Sequence, residues 1–245
     1  MHARRLLIRG MLVGAAAGLL AFGFGWLFGE GAIDAAIAFE SAHAIPGVAA
    51  PEPVSRAVQS TLGLGVAVVV YGAALGGIFA LLFALVHGRV IRAGARATSA
   101  TLAAVGFVTV FLVPFLKYPA NPPAVGDADT IGRRSTWYFL MILISIGAAV
   151  AAALVNRSAM RRWGSWDAAL VSVAVFLVIV GTAATLLPGV NEVPADFPAT
   201  VLWRFRVTSL GSQLVLWTSL GLLFGLLTER VDEPHAVVPQ RAVVE

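Results

Sequence analysis

Cysteine is absent from the 245-residue chain, which excludes disulfides, zinc knuckles and thiolate catalysis. Charge is scarce as well. Only 12% of the residues are Asp, Glu, Lys or Arg against 59% hydrophobic, and the mean hydropathy is +0.87. A soluble domain carries about 25% charged residues, and one this apolar would expose aggregating patches. Histidine is confined to His2, His43, His87 and His235. No Gly-x-x-x-x-Gly-Lys-Ser/Thr loop occurs, so nucleotide hydrolysis would need another subunit. Nor does any charged residue lie deep within a long apolar run, which argues against a proton-coupled carrier acting alone.

What the chain has in quantity is apolar length. Six segments, roughly 6–28, 62–86, 97–115, 137–155, 168–187 and 207–227, are strongly apolar. Each holds about 20 residues, the length a helix needs to cross a hydrocarbon core of about 30 Å. The expected fold is an all-α membrane protein, a polytopic bundle of six transmembrane helices. Residues 1–230 form one transmembrane domain, and 231–245 a short cytoplasmic tail. The Ala42-His43-Ala44 string resembles a signal-peptidase site, but the first apolar run ends at Phe28, too far upstream for cleavage.

The connectors alternate in charge. After the second and fourth segments come Arg89, Arg92 and Arg96, then Arg157, Arg161 and Arg162. After the first, third and fifth come Glu30, Asp34, Glu40 and Glu52, then Asp127 and Asp129, then Glu192 and Asp196. Arginine and lysine divide eleven to six between the two faces. The positive-inside rule then places both termini in the cytoplasm and the acidic connectors outside. The net charge of +4 and pI near 10.3 belong to that one face and do not indicate nucleic acid.

The segments and connectors also suggest three helical-hairpin repeats. The second and third outer connectors both begin at a proline that follows a leucine-rich end (Pro114, Pro188) and finish in arginine. Internal symmetry of this kind is common among transporters. Within the spans, Gly14 and Gly18, Gly72 and Gly76, and Gly221 and Gly225 are each spaced for close helix packing. Mild polarity comes from Gln59, Tyr71, Ser209, Ser212, Gln213 and Thr218, most of them expected to satisfy interhelical hydrogen bonds, with contact of Gln59 or Gln213 to a permeating species as the alternative.

The outer connectors carry the candidate metal ligands. Glu30 and Asp34 are four apart, and Glu40-Ser41-Ala42-His43 sets a carboxylate three residues from an imidazole. On a helix these spacings share a face, and carboxylate with imidazole suits cobalt, nickel or zinc. A solvated amphipathic helix would explain the same residues without metal. The second connector offers Asn121, Asp127 and Asp129, the third Asn191, Glu192 and Asp196; prolines stiffen both. Asp129 or Thr130 is placed to cap a helix starting near Ile131. Arg133, Arg134, Arg204 and Arg206 are expected to hold the loops by ion pairs.

The strings FLVPFLKYPANPPAVGDADTIGRR and LPGVNEVPADFPATVLWRFR, with the opening RLLIRGMLVGAAAGLLAFGFGWLFGE, resemble the CbtA family of predicted cobalt transporter subunits. The resemblance runs to about Arg230. It implies a multi-pass protein of the bacterial inner membrane, linked to cobalt uptake for cobalamin synthesis. It also implies a small one-span, histidine-rich partner of the CbtB type. The family is usually given five spans, whereas the arginine count here requires six. The resulting expectation is a non-enzymatic subunit for uptake of a divalent cation, foremost cobalt(II), captured by the acidic outer loops. No cofactor is expected to be bound permanently; membrane lipids are partners, and a homo-oligomer is compatible with the chain. An accessory scaffold without its own path, or a membrane-embedded metal-dependent enzyme, are the alternatives.

Overall fold

The computed structural model describes residues 3–43, 55–123 and 125–232, and its extended elements are all helices. In hydrocarbon every backbone N–H and C=O needs an internal partner, and a helix supplies one for each residue. Helix α1 spans Ala3–His43, α2 Arg56–Val86, α3 Ala95–Lys117, α4 Ile131–Leu186 and α5 Ala199–Asp232. These are five helices, among the described residues, long and apolar enough to cross a membrane. No strand forms among those residues beyond an isolated bridge between His87 and Ile91. Glu52 of the first connector, and the tail from residue 233 onward, lie outside the described residues.

The expected fourth and fifth segments run together in α4, whose 56 residues would measure about 84 Å as a straight rod. The rod is broken. Gly164 has φ 83° and ψ 175°, a conformation L side chains avoid and glycine adopts freely. A single groove of 470 Å³ is lined both by Ala149, Ala153 and Asn156 and by Ala169, Ser172 and Val173. Ala149 and Val173 would stand about 36 Å apart on a straight helix, so the chain folds back at Gly164.

The core is made by α1, α2, α3 and α5. Gly10, Gly14 and Gly18 of α1 meet Gly72 and Gly76 of α2 backbone to backbone: a Cβ on Gly14 would overlap the Gly72 carbonyl oxygen. Such approach maximises van der Waals contact, which drives association where lipid removes the hydrophobic advantage. Across the bundle, Gly221 and Gly225 of α5 receive Ala103 and the backbone of Arg96 from α3. There Ser99 Oγ donates to the Gly221 carbonyl at 2.6 Å. Between these seams Phe79, Phe83, Leu216, Leu220 and Phe224 fill the interior.

Thus α1 and α2 pack as a hairpin, whereas α5 packs on α1 and α3 instead of along the second half of α4. Helix α4 rests chiefly on the outer half of α3. That half contains a π-helical turn at Phe107–Leu112, just before Pro114. A proline inside a helix withholds one N–H and crowds the preceding turn, and a π-bulge is one way a helix accommodates such a break. At the opposite end of the bundle Arg96 pairs with Glu229, and Arg9 donates to Thr228.

Candidate functional site

The described parts of the three acidic connectors meet at one end of the bundle. Helix α1 continues past its apolar run to His43, carrying Ala36 and Phe39 up to Val125 of the second connector and Phe197 of the third. Phe39 and Phe197 meet edge to face, 5.0 Å between centroids, and His43 Nε2 lies 3.1 Å from Asp196 Oδ2. The second and third connectors are joined more firmly. Tyr118 donates its hydroxyl to the Pro188 carbonyl at 2.9 Å, and the Asp127 N–H donates to Glu192 Oε2 at 3.0 Å. Proline makes such joints affordable in entropy, because the loops lose less freedom on docking.

The candidate ligands divide by what they touch. Glu30 and Asp34 both pair with Arg56, at 2.5 and 3.3 Å, and Glu30 Oε1 is buried without a hydrogen-bond partner among the described residues. Glu40 and Asp129 are exposed, and their carboxylates meet no partner among the described residues. Asn121 accepts from Arg206 Nη2 at 3.0 Å. Asp127 turns its carboxylate back to accept the Asp129 N–H, 2.9 Å. Glu192 stands 3.4 Å from Arg134 Nε. The Thr130 hydroxyl beside it and the Asp127 N–H bonded to it, with Arg134 and Arg133 nearby, lower the Glu192 carboxyl below its ordinary pKa. Asn191 lines the cleft described next. No group of three or more His, Asp or Glu able to hold a metal occurs among the described residues.

Of the four arginines expected to pair with acids, only Arg134 does so among the described residues. Arg206 binds the Asn121 amide and, at 3.3 Å, the Ala120 carbonyl; Arg133 and Arg204 are exposed and form no ion pair among the described residues. Helix α4 does start at Ile131 after Thr130, but the Thr130 hydroxyl donates back to the Asp127 carbonyl instead of capping. That carbonyl is already held by Arg134, so the turn is closed from inside the loop.

Two cavities lie beneath this cap. The outer cleft, 780 Å³, is walled by Phe111, Tyr118, Asn121, Arg134, Tyr138, Asn191, Glu192 and Arg206. The inner one, 530 Å³, sits between α1, α2 and α5, with Thr208, Ser209, Ser212 and Gln213 giving it a polar side. Gln213 Oε1 is buried with no protein partner, and such an orphan ordinarily has water or a ligand against it. Phe111 and Ala120 border both cavities, so the two adjoin there, and Arg206 holds the Ala120 carbonyl from the side of the outer cleft. The arrangement is a pair of adjoining, partly polar cavities beneath the joined connectors.

The family of probable cobalt transporter subunits, CbtA, matches residues 3–229, nearly the whole chain. The chain belongs to the CbtA family. No curated protein and no solved structure matches it. Membership makes it a membrane protein of metal-ion transport, associated with cobalt, and a subunit, which implies a partner.

Within this CbtA-family chain, several residues at the site escape sequence reasoning. Arg56 sits just before the second apolar run and reads as a flanking charge, yet it gathers both acids of α1. Its signal is the i, i+4 pair Glu30/Asp34, which asks for one cation. Tyr118 and Thr208 also tie distant elements, the latter donating to the Phe28 carbonyl at 3.2 Å. Nothing in the sequence marks either bond, because the partner is a backbone carbonyl.

Proposed function

We propose that the chain is the membrane-spanning subunit for uptake of a divalent transition-metal cation, foremost cobalt for cobalamin synthesis, from the outer side of the bacterial inner membrane. The observation that carries this reading is the convergence of three acidic connectors over adjoining cavities that lead into the bundle. Two observations support six crossings with both termini cytoplasmic. The Asp127–Glu192 bond brings the two ends of α4 to one face, which a single crossing forbids. The eleven-to-six arginine division gives the orientation.

Capture is assigned to His43 and Asp196. The His43 Nδ1–H donates to the Phe39 carbonyl at 2.8 Å, which orients the ring and leaves Nε2 towards the carboxylate. Metal-ligating histidines are ordinarily fixed in this way by their second nitrogen. The exposed carboxylates of Glu40, Asp127 and Asp129 raise the local cation concentration, and a one-span, histidine-rich partner of the CbtB type would complete the ligand set. The test is uptake of radiolabelled cobalt at sub-saturating concentration by cells expressing the chain. His43→Ala with Asp196→Asn should lower it about tenfold or more at equal membrane abundance. Unchanged uptake refutes the assigned pair, and accumulation that does not depend on the chain refutes the transport reading.

A further inference from the structure

The ionised side chains that line the outer cleft leave it one net positive charge. Three ionised side chains line it, Arg134, Arg206 and Glu192. Arg134 and Glu192 stand 3.4 Å apart and offset one another, which leaves Arg206 as an uncompensated positive charge. Arg206 is half-buried and has no carboxylate partner among the described residues; its Nε and Nη2 are spent on the Ala120 carbonyl and the Asn121 amide oxygen. Both N–H groups of Nη1 remain for a ligand, and guanidinium is the donor best matched to carboxylate. Arg206 lines the outer cleft and holds the carbonyl of Ala120, a residue that also borders the inner cavity.

Size points the same way. An ion with six waters occupies about 180 Å³, taking about 30 Å³ for each water, whereas the cleft holds 780 Å³. That is the range of pockets for small organic ligands, about 300–1,000 Å³. Its walls are largely aromatic and proline, with Phe111, Tyr118 and Tyr138 among them. Among the described residues no three-ligand set exists, as expected if the metal arrives with oxygen ligands of its own.

We propose that the outer cleft binds the metal as an anionic carboxylate chelate, with a free carboxylate of that chelate on Arg206. The inference rests on the transport reading for the identity of the metal but not for the binding itself. The full chain in nanodiscs is titrated calorimetrically with cobalt(II) citrate, with sodium citrate and with cobalt(II) chloride. Cobalt uptake by expressing cells is followed in parallel at constant total cobalt, with and without citrate.

Cobalt citrate should bind at least about tenfold more tightly than either component. Arg206→Gln, which keeps a hydrogen-bonding amide and removes the charge, should weaken that binding about tenfold; Arg206→Lys should keep part of it. Comparing both variants at matched thermal midpoint separates this from misfolding. Citrate alone binding as tightly as the complex overturns the proposal, as does faster uptake of uncomplexed cobalt by Arg206→Gln. If the chain takes up cobalt chloride and citrate merely lowers uptake in proportion to the free ion, the chelate proposal fails and the transport reading stands. If the chain moves neither form yet still binds cobalt citrate through Arg206, the transport reading fails and the cleft assignment stands.

Discussion

Glu192 is the residue on which the second and third connectors turn. One oxygen accepts the Asp127 N–H and faces Arg134, so its ionised form is the one the joint requires. The adjacent Thr130 hydroxyl and the bonded Asp127 N–H, then the charges of Arg134 and Arg133, lower its carboxyl from the ordinary 4.5. A carboxyl with a lower pKa folded than unfolded contributes stability in full above its unfolded value and loses it as pH falls through the folded one. The contribution should therefore be constant from neutral pH down to about 4.5 and disappear below it. Thermal midpoints of the detergent-solubilised protein check this: Glu192→Gln should lower the midpoint at neutral pH, and the gap to the parent should close on acidification. A gap that persists unchanged below that pH would remove Glu192 as the joint. The sequence marks Glu192 and Asp127 as acids in stiff loops, but not as partners. They are 65 residues apart, and only the fold-back of α4 makes them neighbours.

Among the elements, the α1–α2 seam is the tightest. Gly14 and Gly72 stand so close that either Cβ would overlap the carbonyl oxygen of the other. Gly14→Ala should therefore destabilise by about 1–3 kcal/mol, because overpacking a fitted interface forces the backbones apart. Gly147 of α4 is the control, with nothing within 4 Å of an added Cβ. There alanine should stabilise by up to about 1 kcal/mol through helix propensity alone. Denaturation by a graded detergent series reads both; equal effects at the two sites would mean the seam is not close-packed. The glycine spacings are legible because a small-residue stripe recurs every turn on one face. The pairing of the stripes is only half legible. Adjacent α1 and α2 meet as expected of a hairpin, but Gly221 and Gly225 meet α3, two helices away in the chain. No local pattern specifies which of several small-residue faces α5 will take; shape complementarity across the assembled bundle decides it.

For the whole molecule, the number of crossings decides where the site lies, and α4 decides the number. Its apolar runs, separated by Arg157, Arg161 and Arg162, read in sequence as two spans, because arginine is costly in hydrocarbon. The helix nonetheless continues through those arginines up to Gly164, where positive φ turns it back. The bend is carried by one residue instead of a loop, since only glycine adopts that conformation without strain. The absence of cysteine makes a topology test direct, with no background to remove. Single cysteines at Asp129, Ser165 and Asn191 are treated with a membrane-impermeant maleimide in intact cells and in inverted vesicles. Asp129→Cys and Asn191→Cys should label from outside only, and Ser165→Cys, beside the bend, from the cytoplasmic side only. Labelling of Asp129→Cys and Asn191→Cys from opposite sides would mean that α4 crosses once. The Asp127–Glu192 joint could then not form, and the adjoining cavities would have no outer wall.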